Sequence, residues 1–277
     1  MEIIGQKQEM WSNTWKGSTP EDEIRKWDFY GGRQYISKYV PRFGKTLEAG
    51  CGLGRYVFYF SKLGIDIEGI DFSLDTITTV NQWQTNNGYK LSFKADDVTD
   101  LSYEDNSLRG YISLGVIEHF YEGPMRALEE SYRVLEPGGI AIITTPSVSW
   151  YVKIARMRRI IAKLAKDFLN RESPTSKFTQ YEYYPVKLKK FVEESGLRVT
   201  LYTNADLLFS FAQLFKYSTE QLAEDTFAYW FSHKFENSVL KMLGAQSIVI
   251  AVKPSSRMYC FLCGEMKASE DSLANYT

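Results

Sequence analysis

The sequence is poor in the residues that mark secreted, metal-built or strongly charged proteins. Three cysteines, Cys51, Cys260 and Cys263, stand in 277 residues. That is too few for a disulfide framework, so a reducing, cytoplasmic setting is expected. Two histidines, His119 and His233, leave little for a histidine-built metal site. Cys260 and Cys263 form one Cys-x-x-Cys, half of a zinc pattern. A tetrahedral site needs two more ligands, and no second pair follows, so an unstructured tail without metal is expected, with a zinc site shared between molecules as the alternative. No charge of one sign dominates: 33 basic residues face 34 acidic ones, for a net charge of −1. Bulk charge therefore gives no reason to expect a nucleic-acid partner. No apolar run approaches the roughly 18 residues that span a bilayer. The N-terminal MEIIGQKQEMW lacks a basic start followed by an apolar stretch, so no signal peptide is expected. Internal repeats and low-complexity tracts are also missing.

What is present is a rhythm. From about 45 to 145, short apolar runs alternate with helical periods. KTLEAG, IDIEGID, YKLSFKADD, RGYISLG and IAIITTP read as strands. GRYVFYFSKLG, SLDTITTVNQWQTNNG and GPMRALEESYRVLEPGG read as helices, the first stopped by Gly64 and the last closed by Pro137-Gly138-Gly139. Strands alternating with helices predict a parallel sheet covered on both faces. Further on, PVKLKKFVEESG reads as a helix, LRVTLYT as a strand, 204–243 as helical and aromatic-rich, and QSIVIAVK as a last strand.

The TLEAGCGLGRY stretch carries glycines at alternate positions, Gly50, Gly52 and Gly54. A glycine-rich turn between strand and helix lets a ligand lie against backbone N–H groups and a helix N-terminus. The dinucleotide fingerprint G-x-G-x-x-G would need a third glycine where Arg55 stands, which disfavours a pyrophosphate reader such as an NAD-dependent oxidoreductase. No phosphate-cradling G-x-x-x-x-G-K-[S/T] occurs. Asp71 ends the second strand, 17 residues beyond Gly54. An acid there is placed to accept hydrogen bonds from ribose hydroxyls. Asp97, after the third strand, is placed to accept from an adenine amino group. Together these features predict adenosine binding.

In LEAGCGLGR, GIDFS, ADDVTDLSYEDNS, SLGVIEHF and RVLEPGGIAIITTP the sequence resembles the class I S-adenosylmethionine-dependent methyltransferases. The resemblance covers about residues 45–145 in detail and EESGLRVT and SIVIAV loosely. It implies an α/β, Rossmann-like, doubly wound seven-stranded sheet whose last strand is antiparallel, and S-adenosyl-L-methionine as cofactor, released as S-adenosyl-L-homocysteine. Glu48 would orient the methionine end, and Ala49, Gly50 and Gly52 would supply close backbone. Cys51, a small packing residue, and Gly54 belong to the same cofactor loop. Asp71 would hold the ribose, with Phe72 lining the adenine side. Asp97 and Val98 would read the adenine edge. Leu114 and Gly115 would carry the backbone beside the methionine moiety.

Such a cofactor arrives activated, so the protein's main task is positioning. His119, next to Glu118, is the candidate catalytic base. His233 reads as a helix-surface or core residue. The acceptor is expected to be a small molecule or a lipid- or glycan-linked one, methylated on oxygen or carbon. No Asn/Asp-Pro-Pro-Tyr-type motif points to planar amino groups. A protein methyltransferase and a non-catalytic adenosine-binding module stand as alternatives. The expected organisation is an N-terminal cap or lid at 1–44 containing Trp11 and Trp15, a methyltransferase domain at 45–254 and a polar tail at 255–277. Helical-cap insertions are expected at about 147–185 and 204–243. Within WYVKIARMRRIIAKLAKDFL, Trp150, Ile154, Met157, Ile161, Leu164 and Phe168 recur at helical spacing beside six basic residues. This stretch is either a cap helix or a peripheral contact with an anionic membrane or acceptor.

Overall fold

A computed structural model describes Trp15, 17–26, 30–148, Met157, 180–210, 227–236 and 238–255. Its centre is a seven-stranded sheet in the order β3-β2-β1-β4-β5-β7-β6. The strands are β1 (Thr46–Ala49), β2 (Ile67–Asp71), β3 (Phe93–Ala95), β4 (Leu108–Leu114), β5 (Leu135–Pro146), β6 (Arg198–Ala205) and β7 (Gln246–Val252). Pairings from β3 through β5 are parallel, and β7 runs antiparallel to both neighbours. This is the expected doubly wound architecture with its reversed last strand.

The central strands β1, β2, β4, β5 and β7 are largely buried on both faces, which explains why they read as near-continuous apolar runs, whereas the edge strands β3 and β6 are partly exposed. Alternate residues divide between two cores. Leu47, Tyr111, Ile143 and Val249 belong to one, covered by α5 (Met125–Val134) and α6 (Pro185–Glu194). Ile67, Ile112, Ile142 and Ile250 belong to the other, with α2 (Arg33–Tyr39), α3 (Arg55–Lys62) and α4 (Leu74–Asn86). In α3, Tyr56, Val57 and Phe60 recur on one side and are buried. Each buried side chain of this size contributes about 1.5–3 kcal/mol. Ser73 caps α4 by accepting from the Thr76 N–H at 3.2 Å. The short α1 (Pro20–Arg25) opens with a capping box between Thr19 and Asp22.

Three boundaries differ from the sequence reading. The helix expected to close at Pro137-Gly138-Gly139 already ends at Val134, because Leu135 pairs with Leu108 and opens β5. The strand expected over YKLSFKADD shrinks to Phe93–Ala95, since the Gln84 side chain takes the backbone of Leu91 instead. Asn204 and Ala205 belong to β6 rather than to a helical insertion. After them come a short helical turn at 207–210, α7 (Phe227–Phe235) and a 3-10 turn at Val239–Leu243. Residues 149–156, 158–179, 211–226 and 237 of the two expected cap insertions, which include the basic stretch apart from Met157, lie outside the described residues, as do Trp11, the side chain of His233, Cys260 and Cys263. Among the described residues no helix is long and apolar enough to cross a membrane.

Candidate active site

The carboxyl ends of β1, β2 and β4 bring the predicted loop residues together. At Gly50, Gly52 and Gly54 φ is 79°, 52° and 80°, the left-handed region that favours glycine. Their bare faces meet different neighbours. A Cβ on Gly50 would lie 2.4 Å from Val116 Cγ2, in the loop after β4. One on Gly52 would lie 2.4 Å from the Trp15 indole. One on Gly54 would lie 2.6 Å from the Phe93 ring, so Gly54 serves helix–strand packing. Trp15, half of the expected lid pair, is thus seated on the glycine loop.

Two carboxylates brace this turn. Asp71 is 9% exposed. Its Oδ2 accepts the Gly52 N–H and its Oδ1 the Ser73 N–H, both at 2.9 Å. Burial raises its pKa, and the two N–H donors oppose that. A carboxylate has about four lone-pair sites, so two remain for ligand hydroxyls. Glu48 is buried, and its Oε2 accepts the Val57 N–H at 3.1 Å, tying β1 to the first turn of α3. Burial pushes its pKa well up, against the pull of Arg55 and the Val57 N–H. The acid expected to meet the cofactor's ammonium therefore also holds the helix that follows. Cys51 is buried and its thiol is pushed well up by burial, which makes it a packing residue of low reactivity.

Asp97 lies beyond β3. Its Oδ1 accepts the Thr99 N–H and hydroxyl at 2.8 and 2.7 Å, while Asp96 grips Ser102. Val98 is buried beside it. Phe72 follows Asp71 and is partly buried. At the end of β4, Leu114 packs on the second core and the Gly115 N–H donates to the Thr144 carbonyl at 3.0 Å. His119 closes a 3-10 turn, Ile117–His119, on the far side of that loop.

The match to known proteins falls on this frame. The family described as "Methyltransferase domain" matches residues 47–143, the segment from β1 through most of β5. Residues 47–143 are thus similar to a methyltransferase domain, and the sheet that holds them has the class I S-adenosylmethionine-dependent methyltransferase fold. Over 120 residues the chain is 29% identical to phosphoethanolamine N-methyltransferase 3 of Arabidopsis thaliana, covering 40% of this chain and 24% of that one. Over 169 residues it is 28% identical to demethylmenaquinone methyltransferase of Staphylococcus aureus, covering 57% and 69%. The chain thus spans about a quarter of the length of the plant relative. A Haemonchus contortus phosphoethanolamine N-methyltransferase 2, solved in complex with S-adenosyl-L-methionine, shares the fold. Its TM-score is 0.54 at 16% identity, covering 88% of this chain and 60% of that chain.

Several residues around the loop were not legible from the sequence. Arg55 of α3 is ion-paired with Glu23 of α1. Burial alone would raise the Glu23 pKa, but Arg55 and Lys26 hold it below the ordinary range. Asp206, after β6, has φ 67° and accepts the Phe209 N–H at 3.2 Å. Glu236 accepts the N–H groups of Asp206 and Leu207 at 2.7 and 3.1 Å. Burial raises these two carboxyls to about 6 and about 7. Glu118 is 1% exposed and burial raises it to about 8. Acids 30 residues apart, and an acid beside a histidine, give no sequence signal of such burial.

Proposed function

We propose that this chain transfers a methyl group from S-adenosyl-L-methionine to a small-molecule or lipid- or glycan-linked acceptor. The observation that carries the reading is the pairing of a side-chain-free loop at Gly50 and Gly52 with Asp71, whose carboxylate grips that loop and keeps acceptor capacity to spare. Bound there, the cofactor supplies a methyl group already activated on a sulfonium. In this reading Asp71 holds the ribose hydroxyls, and Asp97 and Val98 meet the adenine edge beside Phe72. Ala49, Gly50 and Gly52 offer close backbone. Glu48 faces the amino-acid end, with Leu114 and Gly115 lining that side. Cys51 and Gly54 keep the loop packed.

What remains for the chain is mainly alignment. Holding two reactants in line supplies about 7–11 kcal/mol. A positioned base adds about 10²–10⁴-fold. His119, with a side chain 15% exposed, is assigned that proton-accepting role for acceptors that must lose one. The acceptors named for the two relatives, phosphoethanolamine and demethylmenaquinone, are small molecules and support a small-molecule acceptor here. The basic stretch 150–169 is the proposed contact for an anionic acceptor or membrane surface.

Calorimetry with S-adenosylmethionine and S-adenosylhomocysteine tests the cofactor site. Native small-molecule and lipid extract, incubated with the protein and methyl-labelled cofactor, then tests transfer by mass spectrometry. Binding of both ligands plus a labelled product is expected. Binding without any labelled product across extracts would leave a binding module and defeat the enzyme reading.

A further inference from the structure

Glu118 is a buried acid that the cofactor assignments do not use. It sits in the 3-10 turn after β4, the strand end where the methyl donor and acceptor are proposed to meet. Its side chain is almost fully enclosed, yet among the described residues Oε2 has no hydrogen-bond partner. Oε1 lies 3.8 Å from His119 Nε2, beyond hydrogen-bond reach. Gly115 presents a bare Cα towards it, for a Cβ there would lie 3.5 Å from Oε1. The Tyr181 N–H clamps the Glu118 carbonyl at 2.9 Å. Tyr181 and Tyr183 stack with centroids 5.9 Å apart, and the Glu118 carboxyl is close enough to act on Tyr183 electrostatically. Among the described residues no lysine or arginine acts on Glu118, and His119 and Tyr183 are the titratable groups facing it.

A buried carboxyl with an unmet oxygen is costly to retain unless something completes it. A hydroxyl would supply one hydrogen bond. An ammonium supplies a hydrogen bond and a charge, and tyrosine faces nearby favour cations. We propose that Glu118 is the ammonium-receiving carboxyl of the active site, engaging either an amine-bearing acceptor or the amino group of the cofactor itself. This rests on the methyltransferase reading of the same site. It moves the expected acceptor from a hydroxyl or carbon toward an amine unless the cofactor's amino group takes the place. Glu48, already committed to the Val57 N–H, is relieved of that duty in the second case.

The free carboxyl is mostly protonated near neutral pH, so an ammonium that binds it as carboxylate expels its proton. The test compares wild type with Glu118→Gln, which keeps size and neutrality. Calorimetry at pH 7 in buffers of different ionisation enthalpy measures both affinity and proton release. S-adenosylhomocysteine is one probe. With that ligand present, ethanolamine and phosphoethanolamine are compared with ethylene glycol. If the cofactor's amino group is the occupant, Glu118→Gln weakens S-adenosylhomocysteine at least about tenfold and abolishes proton release. If the acceptor is the occupant, S-adenosylhomocysteine binding is unchanged. The amines then bind wild type at least about tenfold more tightly than the diol, and Glu118→Gln erases that preference. Unchanged S-adenosylhomocysteine affinity together with no amine preference overturns the proposal. Failure of wild type to bind S-adenosylhomocysteine at all defeats the cofactor reading instead.

Discussion

At the scale of single residues, two carboxyls carry opposite lessons. Asp71 ties down two backbone N–H groups and still has lone pairs free. Removing it outright strands both N–H groups, at about 1–3 kcal/mol each. Asp71→Ala is therefore expected to lower stability and cofactor affinity together. Asp71→Asn keeps one acceptor and separates them: calorimetry should show S-adenosylhomocysteine at least about tenfold weaker, with thermal unfolding shifted by much less. Unchanged affinity would remove Asp71 from the ribose assignment. For Glu118 the sign of the pH effect follows from its raised value of about 8 against an ordinary 4.5. The folded state holds the proton more tightly than the unfolded chain. Stability from this group is full below about 4.5 and is lost as pH rises through about 8. Glu118→Gln should thus match wild type near pH 4.5 and exceed it at pH 9, read as a widening gap in Tm. A constant gap across that range would mean the carboxyl is not held protonated.

Among the elements, the turn entering α3 and the helix α5 make the sharpest claims. Gly54 has φ 80° and its bare face touches the Phe93 and Phe58 rings, whereas Gly64, φ 79°, faces open space. Both alanine variants incur the left-handed strain of about 1–2 kcal/mol. Only Gly54→Ala must also displace an aromatic cluster, so its Tm should fall clearly further than that of Gly64→Ala. Equal losses would show that packing at Gly54 is not limiting. In α5, Arg133 donates to the carbonyls of Leu101 and Tyr103 and pairs with Glu130 and Asp105. It fastens the loop that follows Asp97. Arg133→Ala should raise hydrogen exchange across 99–106 while leaving β4 and β5 protected, as measured by mass spectrometry.

For the whole molecule, the sheet sets the site and the flanking segments close around it. Trp15 reaches the glycine loop from the N-terminal side, and Gly31 packs against Asp206 after β6. The basic stretch Trp150–Leu169 follows β5, the strand paired to the site-bearing β4. It holds Lys153, Arg156, Arg158, Arg159, Lys163 and Lys166 with no acid before Asp167. Each basic residue near an anionic leaflet contributes about 1 kcal/mol. Co-sedimentation with anionic liposomes is expected, weakened by salt and by replacing Arg156, Arg158 and Arg159 with Glu. Equal recovery on neutral and anionic vesicles would confine the stretch to a cap role.

The reversed last strand was implied only by the family resemblance; the sequence by itself determined the parallel sheet covered on both faces and the position of the glycine loop. Those features rest on short-range causes: apolar periodicity, glycine dihedrals and an acid at a strand end. Gly54 and Asp71 were legible because strand, turn and helix fix them within about 20 residues of each other. The true end of the helix expected to close at Pro137-Gly138-Gly139 was not, because a partner in β4 claimed Leu135. Only the tertiary structure decided that Asp71 and Glu48 spend hydrogen bonds on their own loop and helix, and that Arg55 pairs with Glu23. It also decided that Glu118 is enclosed with an oxygen unmet. The physical reason is that burial and partnership depend on segments far apart in the chain. A carboxyl reads the same in sequence whether water or protein surrounds it.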